Sequence, residues 1–85
     1  MVKDKYNING RTLTLLKSKQ ISPKKIKAIY SISGNKGYEV QIIRYQYSSY
    51  VDKWVWKNPA NYDFGYYGWH CYNLDRAEKR YDDIS

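Results

Sequence analysis

Two turn signals, each flanked by runs of β-branched and aromatic residues, restrict the fold of this chain more than any other feature of its sequence. Asn9-Gly10 accepts the positive φ angles of a tight hairpin turn, and short strands are expected on both sides of it. The glycines at 34 and 37 supply a second hairpin loop, between an alternating run at 26–33 and a run at 38–47. The chain is therefore expected to fold into antiparallel β-hairpins.

The remaining segments predict further strands and a helix. The run from Tyr50 to Trp56 carries large side chains at both alternating sets of positions, so we expect a strand that packs on two sides. A short strand is expected at 69–72. After it, Asn73 is a good N-cap residue for a C-terminal helix. The apolar residues of that tail recur at helical spacing: Leu74, Ala77, Tyr81 and Ile84.

One segment between the two hairpins is open to more than one interpretation. Residues 17–25 include Ser22-Pro23, which could cap a helix or interrupt a loop, and we favour the loop. Together, the segments predict an α+β fold. It consists of a small antiparallel sheet of four to five strands with one C-terminal helix packed on one face.

Chain length and cysteine content limit how such a fold can be stabilised. The 85 residues indicate a single domain spanning 1–85, with a thin core. The only cysteine, Cys71, has no partner for an internal disulfide, and its neighbours in sequence do not supply the other ligands of a zinc site. We expect no metal and no cofactor.

The N-terminal residues lack the apolar stretch of a secretory signal, and no apolar run is long enough to span a bilayer. A cytoplasmic protein without a membrane partner is therefore expected. The chain is rich in Lys, Ile, Asn and Tyr, whose codons are rich in A and T. This composition suggests a low-GC bacterial or bacteriophage genome, and hence a bacterial host cell.

The net charge of +7 is concentrated near the N-terminus, where residues 1–27 hold eight Lys or Arg and one acidic residue. Its densest part consists of five lysines in and beside the predicted loop: Lys17, Lys19, Lys24, Lys25 and Lys27. Such a cluster attracts polyanions and acidic protein surfaces, although charge runs also form ordinary solvated surface. Lysine suits phosphate contact better than base reading, because an ammonium group lacks the bidentate fork of arginine.

Aromatic residues form a second enrichment, since twelve of the fifteen fall between Tyr38 and Tyr72. A domain this small can hardly bury so much ring surface, so some rings should face outward. Trp54 and Trp56 are better explained as core residues. The aromatic candidates for binding are Tyr45, Tyr47, Tyr62, Tyr66 and Tyr67. Tyr and Trp anchor protein interfaces and also stack on unpaired bases.

Recognisable catalytic patterns are absent from the sequence. His70 is the only histidine and has no triad context, so a structural role explains it better. The glycines at 34–37 lack the spacing of a P-loop. We therefore expect no enzymatic activity. One enzyme class stays open: small ribonuclease toxins can cleave RNA with Lys, Arg, Tyr and a lone His, although this chain lacks the leading helices of those toxins.

Over its whole length the chain resembles the small α+β proteins that phages and mobile elements encode against host defences, of which anti-CRISPR proteins are the best-known group. The resemblance lies in its size, its tyrosine-rich hairpins and the helix from Asn73 to Ile84. It implies a stoichiometric inhibitor that binds a bacterial defence nuclease or its nucleic-acid complex. At a net charge of +7 the chain cannot be an acidic mimic of DNA.

Two functional hypotheses follow from these patterns. In the first, the chain is a protein-binding inhibitor that the lysines at 17–27 steer and the outward aromatic residues anchor. In the alternative, it is a basic module that binds single-stranded DNA or RNA, with lysines on phosphates and strand aromatics on bases. An exposed edge strand could also pair between two copies, which leaves room for a homodimer.

Overall fold

The computed structural model describes residues 2–60 and 63–84, which form a six-stranded antiparallel sheet followed by one helix. The elements are β1 (Lys5–Ile8), β2 (Arg11–Ser22), β3 (Lys25–Ile32), β4 (Tyr38–Ser48), β5 (Lys53–Lys57), β6 (Gly68–Cys71) and α1 (Leu74–Asp83). The predicted α+β class, with a C-terminal helix on one face of an antiparallel sheet, is confirmed. The described sheet has six strands where four to five were expected.

β4 is the central strand of the sheet. The strands pair in the order β1-β2-β3-β4-β5. On the edge of β4 opposite β3, residues 38–41 pair with β6 and residues 44–48 pair with β5. One long strand therefore supports both the β4–β5 hairpin and the short strand that leads into α1.

The glycine-containing turns lie where the sequence predicts them. Asn9 and Gly10 have φ angles of 53° and 76° between β1 and β2. Gly34 and Asn35 have φ angles of 73° and 56° in the turn between β3 and β4. In the two-residue connection between β1 and β2, positive φ at both residues is the geometry of a primed hairpin turn, whose twist matches that of the flanking strands. The connection between β3 and β4 is longer and spans residues 33–37.

The prediction of a loop over 17–25 is wrong. β2 continues to Ser22, and the turn to β3 contains only Pro23 and Lys24. The polar half of β2 pairs with β3 in register, for example Lys19 with Lys27, with irregularities near Leu15 and Ser22. Backbone pairing satisfies the polar main-chain groups of a strand whatever its side chains are, so a strand without an apolar face can persist beside a well-packed neighbour.

The strand predicted from Tyr50 to Trp56 begins later and is less buried than expected. Tyr50 is 98% exposed in the turn that precedes β5, and the strand itself starts at Lys53. Within β5, only Val55 and Trp56 are partly buried. β5 pairs only with β4 among the described residues, so it is an edge strand. On the face opposite the two tryptophans of β5, Lys53 and Lys57 are exposed, so β5 does not pack on both faces.

The sheet curls around one of its faces. The Gln41 Nε2 atom in β4 donates a hydrogen bond to the Tyr6 hydroxyl in β1 over 2.7 Å, although β2 and β3 lie between them. Three strand spacings of a flat sheet would separate these two strands by about 14 Å. We call this side the concave face. Its buried core consists of Leu13, Ile26, Ala28, Tyr30, Ile32 and Ile43.

The helix covers the opposite side of the sheet, which we call the helix face. Ala77 and Tyr81 of α1 are buried there in a cluster with Ile29, Val40 and Cys71. The helix begins as predicted, because the Asn73 side chain accepts a hydrogen bond of 2.9 Å from the Arg76 backbone N–H. Leu74, in the first turn of the helix, is 39% exposed and does not join the cluster.

Candidate nucleic-acid interface

Four aromatic side chains lie side by side on the concave face of β4 and β5, and we call them the aromatic face: Tyr45, Tyr47, Trp54 and Trp56. The strand register pairs Tyr45 with Trp56 and Tyr47 with Trp54. The ring centroids of Tyr45 lie 5.6 Å from Trp54 and 5.1 Å from Trp56, and Tyr47 lies 6.1 Å from Trp54. Aromatic pairs attract at these separations, so the four rings support one another.

Exposure rises along the aromatic face from the core outward. Trp56 packs against the buried concave core, which anchors one end of the face. At the other end, Tyr47 is 50% exposed and Trp54 is 49% exposed. The Tyr47 hydroxyl donates a hydrogen bond to the Asp52 carboxylate in the adjoining turn. The outer rings are therefore accessible and held in place, although Trp54 was expected in the core.

One lysine of the predicted basic cluster lies at the aromatic face. Lys24, in the turn between β2 and β3, places its Nζ atom 4.7 Å from the centroid of the Trp54 ring. A cation over an indole ring is attracted by the negative face of the ring. The arrangement therefore places a positive charge at contact distance from a half-exposed ring.

The other exposed lysines of the cluster lie on the helix face. Lys17 places its Nζ atom 4.7 Å from the Tyr81 ring centroid, and Lys19 lies on the same side of β2. Lys25 is the first of three basic residues in a row across the sheet. Its cross-strand neighbour in β4 is Arg44, and the neighbour of Arg44 in β5 is Lys57. The structure does not bring the five lysines together on one surface.

Lys27 belongs to the interior of the protein. It is 8% exposed, and its ammonium group donates hydrogen bonds of 2.9 Å to the Tyr81 carbonyl and 3.0 Å to the Ile84 carbonyl. These carbonyls lie at the C-terminal end of α1, where the helix dipole is negative and main-chain acceptors lack helical partners. Lys27 therefore joins the helix to the sheet and is removed from any outer surface.

Two further tyrosines predicted for binding, Tyr66 and Tyr67, lie apart from the aromatic face. Tyr66 is 75% exposed in the segment between β5 and β6. Next to it, the Tyr67 ring lies 3.7 Å from the Arg44 guanidinium, which also forms an ion pair of 3.3 Å with Asp63. Tyr62 lies outside the described residues.

Comparisons with known proteins do not extend this description: no family model, no curated protein and no solved structure matches the chain. Within residues 2–60 and 63–84, no group of three or more His, Cys, Asp or Glu side chains is arranged to hold a metal ion. The described helix is too short and too polar to cross a membrane.

Proposed function

We propose that the protein binds single-stranded nucleic acid at the aromatic face. Bases stack on Tyr47 and Trp54, and Lys24 contacts the phosphate backbone. The observation that carries the proposal is a cross-strand pair of half-exposed rings on a sheet, with an ammonium group over one of them. Every base has an aromatic face, so stacking of this kind tolerates any sequence.

The same features favour an unpaired strand over a duplex. The bases of a duplex are already stacked on one another and present only their edges in the grooves, whereas a flat exposed ring needs the face of a base. A lysine supplies a point charge for phosphate and no bidentate fork for a guanine edge. The net charge of +7 adds long-range attraction for any polyanion.

Removal of the Trp54 ring tests the proposal. Stacking contributes about 1–3 kcal/mol per base, so Trp54→Ala should weaken binding of an oligo-dT strand by about 5- to 150-fold. Tyr50→Ala is the matched control, because it deletes a ring that is 98% exposed in the neighbouring turn and outside the aromatic face. Its affinity should stay within about twofold of the unsubstituted protein.

Fluorescence anisotropy of labelled oligo-dT gives both affinities, and urea unfolding shows whether each variant is folded. Equal losses in the two variants, or no binding by the unsubstituted protein, would contradict the proposal. The affinity should also fall with salt, by about 0.7 log units per log unit of salt for each phosphate contacted on a single strand.

We also keep the protein-binding inhibitor as a second proposal, because one observation favours it. The tip of the β4–β5 hairpin exposes Tyr50 at 98% and Val51 at 51%, beside the aromatic face. Exposed apolar side chains around an aromatic anchor suit a protein interface. Under this proposal, Tyr50→Ala would weaken association with a purified defence nuclease. Oligo-dT would bind only weakly through the net charge of +7, and Trp54→Ala would leave that weak binding unchanged.

A further inference from the structure

A cavity of about 350 Å³ opens on the concave face, at the opposite end of β4 from the aromatic face. Its lining includes Tyr6 and Arg11 from the first hairpin, Glu39 from β4, Phe64, and His70 from β6. Ligand pockets in proteins measure about 300–1,000 Å³, so the cavity has room for a small ligand such as a nucleotide. The first hairpin borders it because the sheet curls.

Glu39 is the chemically informative residue of this cavity. It is 9% exposed, and the ion pair found in the described residues, Arg44 with Asp63, does not involve it. Its Oε1 atom accepts a hydrogen bond of 3.0 Å from the Gln41 Nε2 atom. A buried carboxylate loses hydration, and its two oxygens can accept several more hydrogen bonds. It therefore favours a ligand that brings two adjacent N–H donors to the two carboxylate oxygens.

A chain of hydrogen bonds holds the carboxylate in place. Gln41 donates to Glu39 and to the Tyr6 hydroxyl, and its own Oε1 atom accepts from Asn58 Nδ2 over 2.9 Å. Burial raises the pKa of Tyr6 to about 12, so its hydroxyl is neutral at physiological pH. A carboxylate fixed in this way is preorganised to select the geometry of a ligand.

The remaining walls supply flat apolar surface and positive charge. The Phe64 ring lies against Gly68, where a Cβ atom would be 3.1 Å from the ring, and this close approach fixes the ring. His70 is the cross-strand partner of Glu39, and its Nε2 atom lies 2.7 Å from the Lys36 carbonyl oxygen. Arg11 and His70 are both exposed at the mouth of the cavity, where a phosphate could reach them.

We infer that this cavity binds a guanine base, with its Watson–Crick edge on Glu39 and its phosphate toward Arg11. Guanine presents two adjacent N–H donors, at N1 and N2, to an acceptor-only carboxylate. Adenine and cytosine place an acceptor beside their donor, and uracil places acceptors on both sides of its donor. In each of these bases an acceptor would therefore face a carboxylate oxygen, which is also an acceptor, and the two would repel. The inference rests on the proposed function and adds a base preference to it.

Mononucleotides test the pocket separately from the aromatic face. Isothermal titration calorimetry of the full chain should show that 5′-GMP binds at least about tenfold more tightly than 5′-AMP. The reason is that the N1 acceptor of adenine would face a buried carboxylate oxygen of Glu39, which is also an acceptor. Inosine monophosphate, which lacks the N2 amino group, should fall between the two. Equal affinities for GMP and AMP, or no binding of GMP, would overturn the inference.

A substitution in Glu39 gives the second test. Glu39→Gln should lower GMP affinity at least tenfold, because one acceptor oxygen becomes a donor. Glu78→Gln makes the same change on α1, on the other side of the sheet, and should leave GMP affinity unchanged. Unchanged GMP affinity in Glu39→Gln would also overturn the inference. Oligo-dT contains no guanine, so its binding reports on the aromatic face alone and either claim can fail without the other.

Discussion

At the residue scale, Gly37 and Gly10 share a backbone conformation and differ in their surroundings. Both have positive φ angles, 96° and 76°, which side chains other than glycine rarely adopt. A Cβ atom on Gly37 would lie 2.6 Å from the Cys71 carbonyl oxygen and 3.0 Å from His70 Nε2. At Gly10 nothing lies within 4 Å of that position. Gly37 therefore allows the close approach of β6 to the start of β4.

Alanine substitutions at Gly10 and Gly37 separate the cost of backbone strain from the cost of steric contact. Gly10→Ala should destabilise the protein by about 1 kcal/mol, from the left-handed backbone alone. Gly37→Ala carries the same strain and adds an overpacked contact, so its cost should be larger by about 1–3 kcal/mol. Urea unfolding followed by tryptophan fluorescence measures both values. Equal costs would show that β6 does not approach Gly37 as closely as described.

At the scale of elements, α1 depends on the sheet for its stability. A helix of ten residues is marginal in water, and this one buries only Ala77 and Tyr81 among its residues Leu74–Asp83. Lys27 supplies a further connection, because its ammonium group binds the carbonyls of Tyr81 and Ile84. The end of the helix is thus held by a side chain from the middle of the sheet.

Replacement of Lys27 tests that connection. Lys27→Met keeps the length of the side chain and removes both hydrogen bonds to the helix carbonyls, so we expect a loss of about 1–3 kcal/mol in the free energy of unfolding. Lys19 is the exposed cross-strand neighbour of Lys27. Lys19→Met should lower the free energy of unfolding by less than about 0.5 kcal/mol. Similar values for the two variants would contradict the role of Lys27 in joining the helix to the sheet.

The elements that sequence patterns predict well are those whose turns need special residues. Asn9-Gly10 and the glycines of the second hairpin mark their turns, and Asn73 marks the start of the helix. The sequence pattern does not predict a strand in the second half of β2, because the side chains there are polar and the strand is stabilised by pairing with β3. Its lysines also suit an outer strand edge, where charge discourages pairing with another chain.

At the scale of the whole molecule, the curl of the sheet determines which residues share a surface. Glu39 and Tyr47 project from the same face of β4, eight positions apart, or about 26 Å along the strand. The aromatic face lies at one end of this line, and the cavity lined by Glu39 lies at the other. Under the two proposals, one single strand of several nucleotides would contact both ends of this line.

The residues of the two proposed sites are only partly predictable from the sequence, because the curl of the sheet and its edges are not visible there. Tyr45 and Tyr47 alternate along one strand and are predicted from the sequence, and the excess of rings predicts that some aromatic side chains are exposed. Trp54 was assigned to the core, because the sequence does not show that β5 is an edge strand. Glu39 was missed, although an acid at a core-facing strand position is a signal, because its partners meet it only through the curl.

The proposal that the aromatic face binds single-stranded nucleic acid is tested most directly by the indole N–H resonances of the three tryptophans during an oligo-dT titration. Trp54 should shift most and Trp56 less, because Trp54 is half exposed on the aromatic face and Trp56 is anchored in the core. Trp69 should not move, because it packs on the helix face beside Arg80. A shift confined to Trp69, or none at any indole, would contradict the account.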